Sequence, residues 1–125
     1  MSISFNVTIR VAEKNLAEFN TWRKACMKIV REKERGQTLV YQYTQTNVES
    51  PLYCVTEAYP NGDAVLAHFK NLGSDLMAQA VKLIEFQEFV ITGDVPADIL
   101  AQLRALVSEE KITHFSHLVE SACGT

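Results

Sequence analysis

Positions 3 to 11 alternate: Ile3, Phe5, Val7, Ile9 and Val11 are apolar, and Ser4, Asn6, Thr8 and Arg10 between them are polar. A period of two predicts a strand with one face buried. From "NLAE" the spacing changes to three and four. Leu16, Phe19, Cys26, Ile29 and Val30 share one side of a helix, with Trp22 on its flank. Asn15 followed by Glu18 has the form of a capping box. "REKERG" closes that helix, with basic residues at the negative end of its dipole and Gly36 suited to a left-handed turn.

"TLVYQYTQT" and "PLYCVTEAY" follow as two strands, joined by "NVESP" into an antiparallel hairpin. Pro60, Asn61 and Gly62 break the chain, and Asp63 is placed to cap a second helix. Gly73 and Ser74 interrupt that helix and "SDLMAQAVKLI" restarts it. "EFQEFVITG" is a fourth strand. Pro96 begins a third helix carrying Ile99, Leu100, Leu103, Leu106 and Val107, and "KITHFSHLV" reads as a short terminal strand.

The order β-α-β-β-α-β, followed by a helix, predicts an α+β fold of the ferredoxin-like kind. Its two main helices cover one face of a four-stranded antiparallel sheet. No linker or repeat divides the chain, so residues 1–125 read as a single domain. Strand three offers Tyr53 and Val55 on one side and Leu52 and Cys54 on the other. Strand four offers Phe86 and Val90 on one side and Phe89 and Ile91 on the other. Strands apolar on both sides want both faces covered. A second copy supplies the missing cover, which predicts a homodimer with sheets face to face.

Composition narrows the partners. Of 125 residues 47% are hydrophobic and 22% charged, with a net charge of −3 and the two signs interspersed. There is no concentrated basic face for nucleic acid and no polybasic patch for a membrane surface. No apolar run approaches the roughly 18 residues of a membrane span, and the alternating N-terminus lacks the form of a secretory signal. Cys26, Cys54 and Cys123 are widely spaced and odd in number, which fits reduced thiols in a cytoplasm better than a disulfide framework. His114 and His117 form an HxxH. On a strand these point to opposite faces, and no further ligand set for zinc stands nearby.

His68 raises the functional question. Val65, Phe69, Leu72 and Leu76 make one apolar stripe on the second helix, and His68 lies at its edge, about a dozen residues after Glu57 at the end of a strand. An imidazole at the rim of an apolar face titrates near physiological pH. It can work as a base, or it can be a structural hydrogen bond, to Glu57 for example, pinning the helix to the strand.

The same stretch, "EAYPNGDAVLAHFKNLG", resembles the signature of the antibiotic biosynthesis monooxygenase-like family of the dimeric α/β-barrel superfamily, through Glu57, Tyr59, Asp63, Ala64 and His68. "ERGQTLVYQY", with Glu34, Gly36 and Tyr41, is similar to the family's turn from helix one into strand two, and "FVITGDVPADILAQL" to a strand, turn and helix of one branch. The chain departs from the family in closing with "VESACGT" rather than a glycine-aromatic pair. The tryptophan near the start of helix two in haem-degrading relatives is also missing.

The resemblance implies a dimer with a small aromatic-ligand pocket in each subunit. It implies oxygenation of a phenolic, quinol or polyketide-like ring without metal, flavin or haem as cofactor, the substrate anion itself reducing dioxygen. In that reading His68 is the catalytic candidate. Tyr41, Tyr43, Trp22 and Phe69 supply the wall of the pocket, Glu57 a further contact, and Asn6 with Arg10 a place for an oxyanion. Two other readings stand beside it: a non-catalytic small-molecule-binding or stress-related protein of the same fold, and a haem-binding or haem-degrading relative.

Overall fold

The structure, a computed structural model, describes residues 2–124. Strand β1 (Ile3–Arg10) lies at the centre of the sheet, antiparallel to β3 (Leu52–Tyr59) on one side and to β4 (Glu85–Thr92) on the other. β2 (Val40–Thr44) pairs with β3, as the "NVESP" connection predicts. Beyond β4 the sheet continues: β5 (Ile112–Phe115) pairs with it in parallel, giving the order β2-β3-β1-β4-β5. The sheet is therefore five-stranded and mixed, not four-stranded and antiparallel. The reason is the third helix, α3 (Ala97–Leu106), which supplies the long crossover that parallel strands require.

The alternation in β1 sorts the two faces. Ile3, Phe5, Val7 and Ile9 are buried under the helices, while Asn6 and Arg10 are exposed on the opposite face. α1 (Leu16–Lys33) and α2 (Gly62–Leu83) pack against each other. α1 buries Phe19, Trp22 and Cys26, but Leu16 at its first turn stays exposed. Asn15 stands at the N-cap without a side-chain cap hydrogen bond, because a 3-10 turn over Glu13–Asn15 feeds the helix instead. The cap of α2 is Asn61, whose side chain accepts from the Ala64 amide at 3.0 Å; Asp63 lies inside the first turn. The expected break in α2 falls at Gly73, with φ 77° and ψ 168°, a conformation that glycine adopts without a Cβ clash.

α3 does not cross to the other side of the sheet. Its Leu106 meets the same hollow as Phe5, Val7 and Ile9, so all three helices share one face. Strand β4 corrects another expectation. The register shifts between Thr8 and Ile9, so that Ile9 opposes Phe86 and Gln87 is the extra residue. The bulge turns Phe86 to the helix side with Phe89 and Ile91. The open face is thus less apolar than strict alternation predicts: of the four, Val90 alone remains there. It is joined by Val40, Leu52, Cys54 and Ala58 from β2 and β3 and by Phe115 from β5, all at least partly exposed.

Candidate functional site

Between the sheet and the helices lies a hollow of about 100 Å³. Phe5, Val7, Ile9 and Val55 form its floor, with Phe86 and Phe89 beside them. Phe69, Leu72, Met77 and Val81 come from α2 and Trp22 from α1. The kink at Gly73 lets α2 turn, so its second half roofs the hollow. The Trp22 indole N–H donates to the Leu76 carbonyl at 2.9 Å and ties that half to α1.

The polar groups gather on the side of β2 and β3. Tyr41 and Tyr43 point the same way from β2, their hydroxyls 2.9 Å apart. Glu57 stands opposite Tyr41 in the register of β3. His68 comes down from α2 with 2% of its surface exposed, its ring centroid 5.4 Å from Tyr41 and 5.6 Å from Tyr59. Its Nδ1 is 2.8 Å from Glu34 Oε1, and its Nε2 is 3.6 Å from Glu57 Oε1. The Tyr59 hydroxyl donates to the same Glu57 oxygen.

Glu34 is the residue that the sequence did not single out for the site. It is 1% exposed, at the end of α1 in a run of charges. Thr38 donates to its Oε1 at 2.6 Å and Asn71 to its Oε2 at 3.2 Å. Burial pushes its carboxyl up, but the hydrogen bonds from His68, Thr38 and Asn71 and the charge of His68 outweigh burial and hold it below its ordinary 4.5. An ionised Glu34 accepts, so His68 Nδ1 carries a proton and donates. Burial also disfavours the charged imidazole, yet the bond to Glu34 and the field of both carboxylates raise its pKa above 6.5. Glu57 moves the other way: burial raises it above 4.5, with His68 and Tyr59 only partly offsetting this. Burial likewise raises Tyr41 well above 10, and the neighbouring Tyr43 and Glu57 add to it. Two carboxylates thus flank one imidazole, which holds a proton between them.

Of the expected site residues, the structure brings His68, Tyr41, Tyr43, Trp22, Phe69 and Glu57 around this hollow. Asn6 is not among them. It lies on the open face of β1, where it accepts from the Thr56 hydroxyl at 3.4 Å, and Arg10 shares that face. The structural bond expected of His68 is made to Glu34, while Glu57 stands at the longer distance. His114 Nε2 lies 2.7 Å from the Gly93 carbonyl and His117 is exposed beyond β5. Among the described residues no three His, Cys, Asp or Glu side chains are placed to hold a metal ion. Cys26 is a buried thiol whose pKa burial raises to about 12, Cys54 is half-buried and Cys123 exposed. No helix among the described residues is long and apolar enough to cross a membrane.

No family model and no curated protein matches the chain. Solved structures do. MupZ from Pseudomonas fluorescens superposes with a TM-score of 0.67 at 17% identity over 99% of this chain and 94% of its own. A protein of Caulobacter crescentus, named as a candidate antibiotic biosynthesis monooxygenase, is 28% identical over 68% of this chain and 86% of its own, with a TM-score of 0.51. A Deinococcus radiodurans protein of the same designation is 16% identical with a TM-score of 0.55, covering 73% and 89%.

Proposed function

We propose, for a chain similar in sequence and fold to the antibiotic biosynthesis monooxygenase-like family, that the hollow oxygenates a small phenolic or quinol ring with dioxygen and no bound cofactor. The observation that carries this reading is one titratable cluster, His68 between Glu34 and Glu57, at the side of an otherwise apolar hollow. Such a site binds a ring by its walls and handles one proton at a fixed place. The hollow of about 100 Å³ is smaller than the roughly 150 Å³ of a cavity that holds benzene, so it takes one ring at most and leaves no room for a fused polyketide. A haem macrocycle is larger still.

The chemistry balances without a further reductant. Loss of the hydroxyl proton to the His68–Glu57 pair leaves an electron-rich ring. A ring carbon then bonds to dioxygen and, with a proton, becomes a hydroperoxide. Breaking the carbon–hydrogen bond at that carbon expels water and leaves a carbonyl. A phenol and one dioxygen give a quinone and one water, and all four electrons come from the organic molecule. The test is oxygen uptake with a panel of phenols and quinols. Uptake with a product that has gained one oxygen atom, and with water and not hydrogen peroxide as the second product, supports the reading, and its absence across the panel overturns it.

A second reading, binding without turnover, is favoured by a specific observation. Most polar atoms at the hollow are already engaged within the protein, the Tyr41 hydroxyl with Tyr43, Glu57 Oε1 with Tyr59, and His68 Nδ1 with Glu34. A ring that binds and is never oxidised is the result that selects it.

The homodimer belongs to the same reading. Val40, Leu52, Cys54 and Ala58 on β2 and β3, and Val90 and Phe115 on β4 and β5, are two apolar patches on the open sheet face on either side of the polar outer row of β1, and a second copy would cover them by the same face. The three free thiols suit a reducing, cytoplasmic setting. Sedimentation at micromolar concentration is expected to show a species of twice the 14.0 kDa chain mass, and Leu52→Lys is expected to shift it toward monomer. A wild-type monomer sinks the face-to-face assembly.

A further inference from the structure

Among the described residues, the lining of the hollow contains Glu57 and His68 as its only ionisable groups besides tyrosine, and no lysine or arginine. Glu57 is enclosed, yet 14% of its side-chain surface remains open. Both of its protein contacts, the Tyr59 hydroxyl and His68 Nε2, fall on Oε1. Oε2 therefore has no protein partner among the described residues, on a side chain that borders the hollow. Among the described residues no sealed-off side-chain oxygen lacks a partner, so Oε2 is an accessible acceptor that a ligand donor can reach. It repels another carboxylate, which would have to shed its water and would find no cation except the His68 imidazole, already engaged by Glu34 and Glu57.

We infer that Glu57 Oε2 is the recognition point of the hollow, so that the site selects a neutral single ring bearing a hydroxyl and rejects rings bearing a carboxylate or phosphate. This deepens the oxygenase reading and rests on its ligand hollow, though not on turnover. The ring lies against Trp22, Phe69, Phe86 and Phe89, and its hydroxyl donates to Oε2. The same hydroxyl is then beside His68, 3.6 Å from the other oxygen of Glu57. Selection and proton removal thus use one carboxylate, and an acid-bearing ring is excluded before any chemistry begins.

The test is ligand-observed NMR and calorimetry on the wild-type protein with phenol, hydroquinone, toluene, benzoate, phenyl phosphate and benzylamine. Phenol or hydroquinone is expected to bind at least about tenfold more tightly than benzoate or phenyl phosphate, a difference easily resolved by calorimetry. Glu57→Gln keeps an acceptor oxygen and removes the charge, and is expected to narrow that ratio by about tenfold. Glu57→Leu is expected to lose the preference for phenol over toluene. Circular dichroism establishes that each variant is folded, and the wild-type ratios stand by themselves if one is not.

Benzoate binding as tightly as phenol overturns the inference. So does benzylamine binding more tightly than phenol, which would mean that the charge of Glu57 is read and not its acceptor oxygen. Failure of every ring to bind overturns it too. Phenol bound with this selectivity but never oxidised leaves the inference standing and removes the oxygenase. Oxidation of carboxylated rings does the reverse.

Discussion

Replacing Glu34 by alanine is expected to cost the fold roughly 3 kcal/mol or more, the usual scale for removing one partner of a buried ion pair. The change leaves Thr38, Asn71 and His68 Nδ1 without their shared acceptor, and it alters how stability depends on pH. His68 has a folded pKa above 6.5, so its contribution is complete below 6.5 and is lost as pH rises through the folded value. Glu34 has a folded pKa below 4.5, so its contribution is complete above 4.5 and is lost as pH falls through its folded value. Glu57, raised above 4.5, acts in the same sense as His68 and weakens the fold as it ionises. Stability is therefore expected to peak near pH 4.5, where Glu34 gains its charge before Glu57 is forced to ionise, and to fall toward alkaline pH as the contributions of Glu57 and His68 are lost. In Glu34→Ala the imidazole loses its strongest partner and that alkaline decline flattens. Urea unfolding between pH 5 and 9 measures both effects. A variant that loses under about 1 kcal/mol and keeps the wild-type slope would show that the pair is incidental to the fold.

The role of Glu34 also marks the limit of what the sequence carries. β1 was legible because nine alternating positions repeat one signal. The interruption at Gly73 was legible because a glycine followed by serine in an apolar helix has few other uses. Glu34 enters the sequence reading only through the family-like turn "ERGQTLVYQY", and within "REKERGQ" nothing local marks this one acid as buried. Its partners His68 and Asn71 lie 34 and 37 residues away, and no local period encodes such a meeting. The parallel pairing of β5 is hidden for the same reason, since four residues of strand say nothing about direction. The bulge at Gln87 is hidden too: "EFQEFVI" can be read in two registers, and only pairing with Ile9 decides between them. Six of the eight proposed site residues, all but Asn6 and Arg10, nonetheless meet at one hollow. They sit on inward positions of strands and helices, and those the pattern does fix. Asn6 failed as a hollow contact by the same rule, because its neighbours Phe5 and Val7 point inward and it must point out.

His68→Ala is expected to lower oxygen uptake by about 100-fold or more, the range for removing a positioned base, while ring binding changes far less because the walls and Glu57 remain. His68→Gln, which keeps a polar group near Glu34 and cannot titrate, is the control should the alanine variant be unstable. The direction of the pH profile separates a base from a structural bond. A base must first be unprotonated, so uptake is expected to rise with pH along a limb lying above 6.5, where the pull of Glu34 and Glu57 places His68. Weakening that pull in Glu34→Gln is expected to move the limb to lower pH, even as it weakens the fold. A purely structural histidine would move stability and leave the position of the limb unchanged. If uptake persists in His68→Gln with an unaltered profile, proton removal belongs to Glu57 alone, whose raised pKa and open oxygen would then serve as base without an imidazole behind it.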